Sequence, residues 1–152
     1  MMLRELSEAI GVSGAEDAVR ALIADAICEH VDDLQVDAMG NLLAVRRGTG
    51  ASDLRVMVAA HMDEVGMIVL GADGDGLLRF DQVGGLDERI LPGMRVLVGP
   101  GRVPGVIDWA PIHLNKDDNA VPKKRLRIDI DAASRDAAQS AAKPRDRVAF
   151  GT

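Results

Sequence analysis

Hydrophobic and polar positions follow two different rhythms along this chain, and the change falls near residue 66. Leu3, Leu6, Ala9 and Ile10 recur at helical spacing, which predicts a short first helix that Gly11 can end. Val19, Leu22, Ile23, Ala26 and Ile27 form one apolar stripe, predicting a helix from about Gly14 to His30. Ser13 and Glu16 have the spacing of a capping box, in which the hydroxyl takes an amide of the first turn and the carboxylate reaches back. Glu16 and Asp17 then sit at the positive end of the helix dipole and His30 at the negative end. Leu34 to Asp37 and Leu42 to Arg46 flank Met39-Gly40-Asn41, which predicts a hairpin. Leu54 to Ala60 is almost entirely apolar, as expected of a strand buried on both faces. This order predicts the start of an open α/β sandwich, with too few crossover helices to complete one.

After Gly66 the apolar runs shorten. Met67 to Leu70, Leu77 to Phe80, Met94 to Val98, Val103 to Ile107 and Leu126 to Ile130 are separated by Gly, Pro and Asp, the texture of a small β-barrel or sandwich. Residues 71 to 76, Gly-Ala-Asp-Gly-Asp-Gly, lack the later ligands of a calcium loop and read as a hairpin turn. Ser134 to Ala142 predicts a short helix and Arg147 to Phe150 a last strand.

Composition narrows the function classes. Aromatics make up 2% of the 152 residues, so aliphatic side chains and Met must build the core, and stacking platforms for single-stranded nucleic acid are missing. The net charge of -6 argues against nucleic acid and anionic membranes as partners. Lys123-Lys124-Arg125, the one basic cluster, reads as a solvated loop. Cys28 permits no internal disulfide and reads as a small core hydrophobe. With no apolar leader or membrane-length run, a cytoplasmic location is expected.

Candidate chemistry lies at the end of the predicted buried strand. In an open α/β sheet, ligands bind beyond the strand ends. Residues i and i+2 of a strand share a face, so His61 and Asp63 can act together. His61 can ligate a metal through one ring nitrogen while Asp63 holds the other N–H and fixes the tautomer. Spacing alone equally fits a half-buried histidine bonded to a neighbouring carboxylate.

The surrounding blocks add to this. Gly11-Val12-Ser13-Gly14-Ala15-Glu16, Asp37-Ala38-Met39-Gly40-Asn41-Leu42, Ala59-Ala60-His61-Met62-Asp63-Glu64-Val65-Gly66 and Val83-Gly84-Gly85 resemble the M42 family of cytosolic metallo-aminopeptidases. Gly105-Val106-Ile107, Pro111-Ile112-His113-Leu114 and Ile128-Asp129-Ile130 follow in the family's order, so the resemblance covers about Leu3 to Phe150. It implies residues 1–66 as the N-terminal part of a catalytic α/β domain and 67–152 as an inserted β-rich dimerisation domain. His61 matches a family metal ligand, and Asp63 the carboxylate that orients it, counted among the catalytic residues. It also implies two divalent ions in the complete enzyme, zinc or cobalt, peptide substrates, and homo-oligomers formed through the β-rich domain. The bridging Asp, the Glu pair with the general base, a further acidic ligand and the last His would fall beyond Thr152, so the chain reads as truncated. Asp131 departs from the pattern, since the family usually has Gly after the Ile-Asp-Ile segment.

Glu64, on the opposite strand face, reads as an outer residue, and His113 as a packing or turn residue. Two other functions stand beside the aminopeptidase: a non-catalytic β-rich assembly module, and a polysaccharide hydrolase. The last needs two carboxylates flanking a glycosidic bond, which adjacent Asp63 and Glu64 do not supply.

Overall fold

The computed structural model describes residues 2–50, 52–109 and 123–151. The chain divides into two compact units, Met1–Asp63 and Glu64–Thr152.

The first unit opens with helix α1 (Met2–Glu8), which buries none of its side chains. Helix α2 (Asp17–Ile27) continues into a 3-10 turn at Cys28–His30. It begins later than the sequence predicts, because the capping box does not form. Glu16 is the cap residue with no side-chain cap bond, and its carboxylate accepts from the Gly14 amide at 2.6 Å. The Ser13 hydroxyl is engaged elsewhere, by Asp63. Val19 is the buried member of the α2 stripe. Cys28 is exposed, contrary to the core position expected of it, because the turn carries it off the stripe.

Strands β1 (Asp33–Val36) and β2 (Leu42–Val45) pair antiparallel as the predicted hairpin. Asp37 fixes its turn by accepting from the Met39 and Asn41 amides and the Asn41 side chain, at 2.8–2.9 Å. Those bonds, from Asn41 first, hold its carboxyl below the ordinary value.

Residues 54–60 overturn an expectation. They form no strand, and Leu54, Met57 and Val58 are 79%, 90% and 92% exposed. An apolar run becomes a strand only when neighbours take its N–H and C=O groups and cover its faces. Here no described segment pairs with it.

The second unit is a closed six-stranded antiparallel barrel. Its strands are β3 (Gly66–Ala72), β4 (Leu78–Val83), β5 (Arg95–Val98), β6 (Val103–Asp108), β7 (Arg127–Asp129) and β8 (Arg147–Phe150). Around the barrel they run β3-β4-β7-β6-β5-β8. Alternation fills the interior: Met67, Val69, Leu78, Val96, Val98, Ile107, Ile128 and Val148 point inward and are at most 1% exposed. Helix α3 (Arg135–Ala141), capped by the Ser134 hydroxyl, adds Ala138 to this core, and Ala142 just past its end joins it. The tip between β3 and β4 is the predicted turn, closed by Asp73 and Gly76. The Asp73 carboxylate then accepts from Arg127 at 2.5 Å and pairs with Arg79 at 3.3 Å, tying the tip to the barrel wall.

Asp131 sits in the left-handed region, φ 61, with its amide donating to the Asp129 carboxylate at 2.8 Å. Glycine meets no Cβ penalty there, whereas glycine also loosens the unfolded chain. Asp131→Gly is expected to raise barrel stability by roughly 0.5 kcal/mol, the balance of those two effects. Urea unfolding measures it, and a lowered midpoint would show that the freedom glycine adds to the unfolded chain outweighs the relieved backbone strain.

Asp87 and Arg89 make a local ion pair whose closest contact is 2.5 Å. The Arg89 side chain first, then its amide, holds the Asp87 carboxyl down at about 2, from 3.8. A lowered folded pKa contributes stability that is fully present above pH 3.8 and is lost as the pH falls toward 2. Carboxyl NMR titration should therefore place the Asp87 midpoint well below 3.8, and Arg89→Ala should return it there. An unshifted midpoint in the unmodified chain would refute the pairing.

Candidate functional site

His61 and Asp63 follow the exposed run 54–60, within the first unit. The imidazole side chain is 85% exposed and the carboxylate 42%. His61 Nδ1 lies 3.0 Å from the Asp63 backbone carbonyl and 3.1 Å from Asp63 Oδ1. Both are acceptors, so Nδ1 must carry the hydrogen and donate it. Nε2 then keeps its lone pair, the form of histidine that binds a metal.

The other carboxylate oxygen, Oδ2, accepts a short hydrogen bond from the Ser13 hydroxyl. Ser13 first, and His61 after it, hold the Asp63 carboxyl below the ordinary 3.8, opposed by desolvation. Ser13 can reach because its loop packs closely. A Cβ on Gly11 would stand 2.7 Å from Val19 Cγ2 and 3.2 Å from the Met62 carbonyl, so only glycine brings residues 11–14 this near to 62–63. Sequence reasoning assigned Ser13 to a helix cap and missed this contact. The signal that could have found it is the hydroxyl's place in a Gly-flanked loop, where a side chain is free to bond outside the helix.

The other candidates separate from this site. His30 is exposed at the end of its 3-10 turn, and its backbone carbonyl accepts from Arg46 at 3.4 Å. Glu64 is exposed on the next residue. His113 lies outside the described residues. Among the described residues no three His, Cys, Asp or Glu side chains gather as a metal cage. His61 therefore suits one coordination position, and the described residues do not complete a centre. A groove of about 440 Å³ on the outside of β5, β6 and β7 is floored by Leu97, Pro104, Val106 and Ile130. It holds no imidazole or thiol and brings no ligand set together. No helix among the described residues is long and apolar enough to cross a membrane.

Comparison with known proteins agrees with the sequence resemblance. The model of the M42 glutamyl aminopeptidase family matches residues 40–152. A lysyl aminopeptidase from Pyrococcus furiosus is 31% identical over 145 residues, covering 91% of this chain and 41% of its own length. The Pyrococcus horikoshii TET1 peptidase, which assembles into a tetrahedron or an octahedral shell, superposes with TM-score 0.85 at 36% identity, over 99% of this chain and 46% of that one. A Thermotoga maritima structure described as an endoglucanase gives TM-score 0.84 at 41% identity, over 97% of this chain and 44% of that one. The chain thus spans about two fifths of the length of the curated relatives it matches.

Proposed function

The chain belongs to the M42 glutamyl aminopeptidase family, and from that premise we propose that it carries the N-terminal share of a two-metal aminopeptidase site. His61 supplies one ligand through Nε2. Asp63 is the carboxylate that orients it. Residues 1–66 belong to the catalytic α/β sandwich and 67–152 form the inserted domain through which copies associate into homo-oligomers. The shells and tetrahedra of a close structural relative support that last part. Substrates are peptides, cleaved from a free N-terminus in the cytoplasm, with zinc or cobalt as the ions, since imidazole and carboxylate suit both. When bound, such ions polarise the scissile carbonyl and lower the pKa of the attacking water.

The observation that carries this reading is the placement of His61 Nδ1 beside two acceptor oxygens, at 3.0 and 3.1 Å. Its Nδ1–H faces two Asp63 oxygens, and its other nitrogen is left for a ligand's role. The polysaccharide reading, prompted again by one relative's description, is less well supported. A glycosidase needs one carboxylate free to donate a proton and another to attack or to activate water. Both oxygens of Asp63 are already engaged, by Ser13 and by His61.

The test joins this chain to the part of the Pyrococcus furiosus lysyl aminopeptidase beyond the matched region. Metal-dependent release of chromophore from aminoacyl substrates is expected, together with its loss in His61→Ala. Equal turnover in His61→Ala would remove His61 from the site. A folded, metal-loaded chimera that hydrolyses none of a panel of aminoacyl substrates would overturn the aminopeptidase reading.

A further inference from the structure

We infer that Ser13 is a positioning residue for the metal-ligating imidazole: its hydroxyl holds the Asp63 carboxylate so that His61 presents the Nε2 lone pair. This rests on the assignment of His61 as a ligand and extends it to a residue fifty positions before Asp63. A carboxylate beside a solvent-exposed histidine has a choice of rotamers, and the histidine a choice of two tautomers. Neither is fixed by the sequence neighbourhood alone. The Ser13 hydroxyl bonds Oδ2. With that oxygen tethered, Oδ1 stands 3.1 Å from Nδ1. The Asp63 carbonyl, 3.0 Å from the same nitrogen, adds a second acceptor on the same side of the ring.

The tether is itself supported from behind. Ala15 donates its amide to the Val12 carbonyl at 2.8 Å, closing a tight turn with Ser13 at its crest. Val12 is fully buried, and Gly11 fits against Val19 and the Met62 carbonyl where no larger residue could. The hydroxyl is thus delivered by packed backbone rather than by a mobile loop. Substitutions in the shell around a metal ligand lower affinity by about 10- to 100-fold when they release its orientation.

A purely structural role for Ser13 would tie the loop down and leave the imidazole indifferent. The tautomer of His61 separates the two. Nitrogen-15 spectra of the histidine rings, recorded on the 152-residue chain at about pH 8 where imidazole is neutral, report it without metal or turnover. The His61 signal is the one lost in His61→Gln. The unmodified chain is expected to hold His61 as the Nδ1–H form. Ser13→Ala should lower the ratio of Nδ1–H to Nε2–H on the order of tenfold, the value of one charge-assisted hydrogen bond. Ser13→Thr, which keeps the hydroxyl, should keep the ratio.

An Nε2–H tautomer in the unmodified chain would overturn the inference at once, whatever the variants do. So would an unchanged ratio in a folded Ser13→Ala. Neither result depends on catalysis, so each is distinguishable from a failure of the aminopeptidase reading, which is decided by turnover of the chimera.

Discussion

Gly76→Val is expected to cost the barrel on the order of 4 kcal/mol, a large share of what a small domain has. Gly76 is buried at the tip between β3 and β4, with φ +90. A Cβ there would stand 1.9 Å from the Ala132 carbonyl oxygen, 2.7 Å from its carbon and 3.0 Å from the Ser134 amide nitrogen. These are backbone atoms, so no rotamer change relieves the clash. The segment they belong to links β7 to α3, and Ser134 caps that helix. Moving it would lift Ala138 and Ala142 out of the core. The left-handed backbone adds about 1–2 kcal/mol for any side chain, and a β-branched one suffers most. For a domain of this size the loss corresponds to a fall in Tm of roughly 15–30 °C. Gly74 in the same turn is the control, because a Cβ there meets nothing within 4 Å. Gly74→Ala should change stability by less than about 0.5 kcal/mol. Thermal unfolding of both variants decides it, and a Gly76→Val barrel as stable as the Gly74→Ala one would mean that the β7–α3 link is free to move.

How far such features can be read from sequence depends on whether the information is local. The apolar run Met94 to Val98 marked a short strand, and β5 occupies Arg95–Val98 within it. Ser134 capped the helix it was expected to begin, and Met39-Gly40-Asn41 turned the hairpin. The cyclic order β3-β4-β7-β6-β5-β8 was not legible, because it is set by which distant faces fit together. Local pattern also misled at Leu54 to Ala60. Its apolarity correctly marks a segment suited to burial, yet burial needs partners that no described residue provides. The site divides in the same way. His61 and Asp63 were legible from an i, i+2 spacing. Ser13 was not, since Glu16 three residues on offered a local partner that outweighed a contact across fifty residues.

Activity carries the largest expected effect of all, because catalysis multiplies over every group of a site. The 152-residue chain by itself is expected to show no metal-dependent aminopeptidase turnover. A hydrolytic metal site uses at least three protein ligands, and among the described residues His61 stands without the cluster that would complete one. Its single free nitrogen should bind Zn²⁺ or Co²⁺ weakly and at no stable two-ion stoichiometry. A positioned general base is worth about 10²–10⁴-fold, and among the described residues no further carboxylate or imidazole gathers with His61 and Asp63. Groups that act as a unit also fail together. Asp63 and Ser13 already orient His61, which makes ligand count, and not ligand quality, the limit among the described residues. The measurement pairs chromogenic aminoacyl substrates with metal content on the purified chain, beside His61→Ala. Turnover that requires metal and vanishes in His61→Ala would mean that several copies together complete a centre that one copy does not, and the dependence of rate on chain concentration would then reveal that assembly.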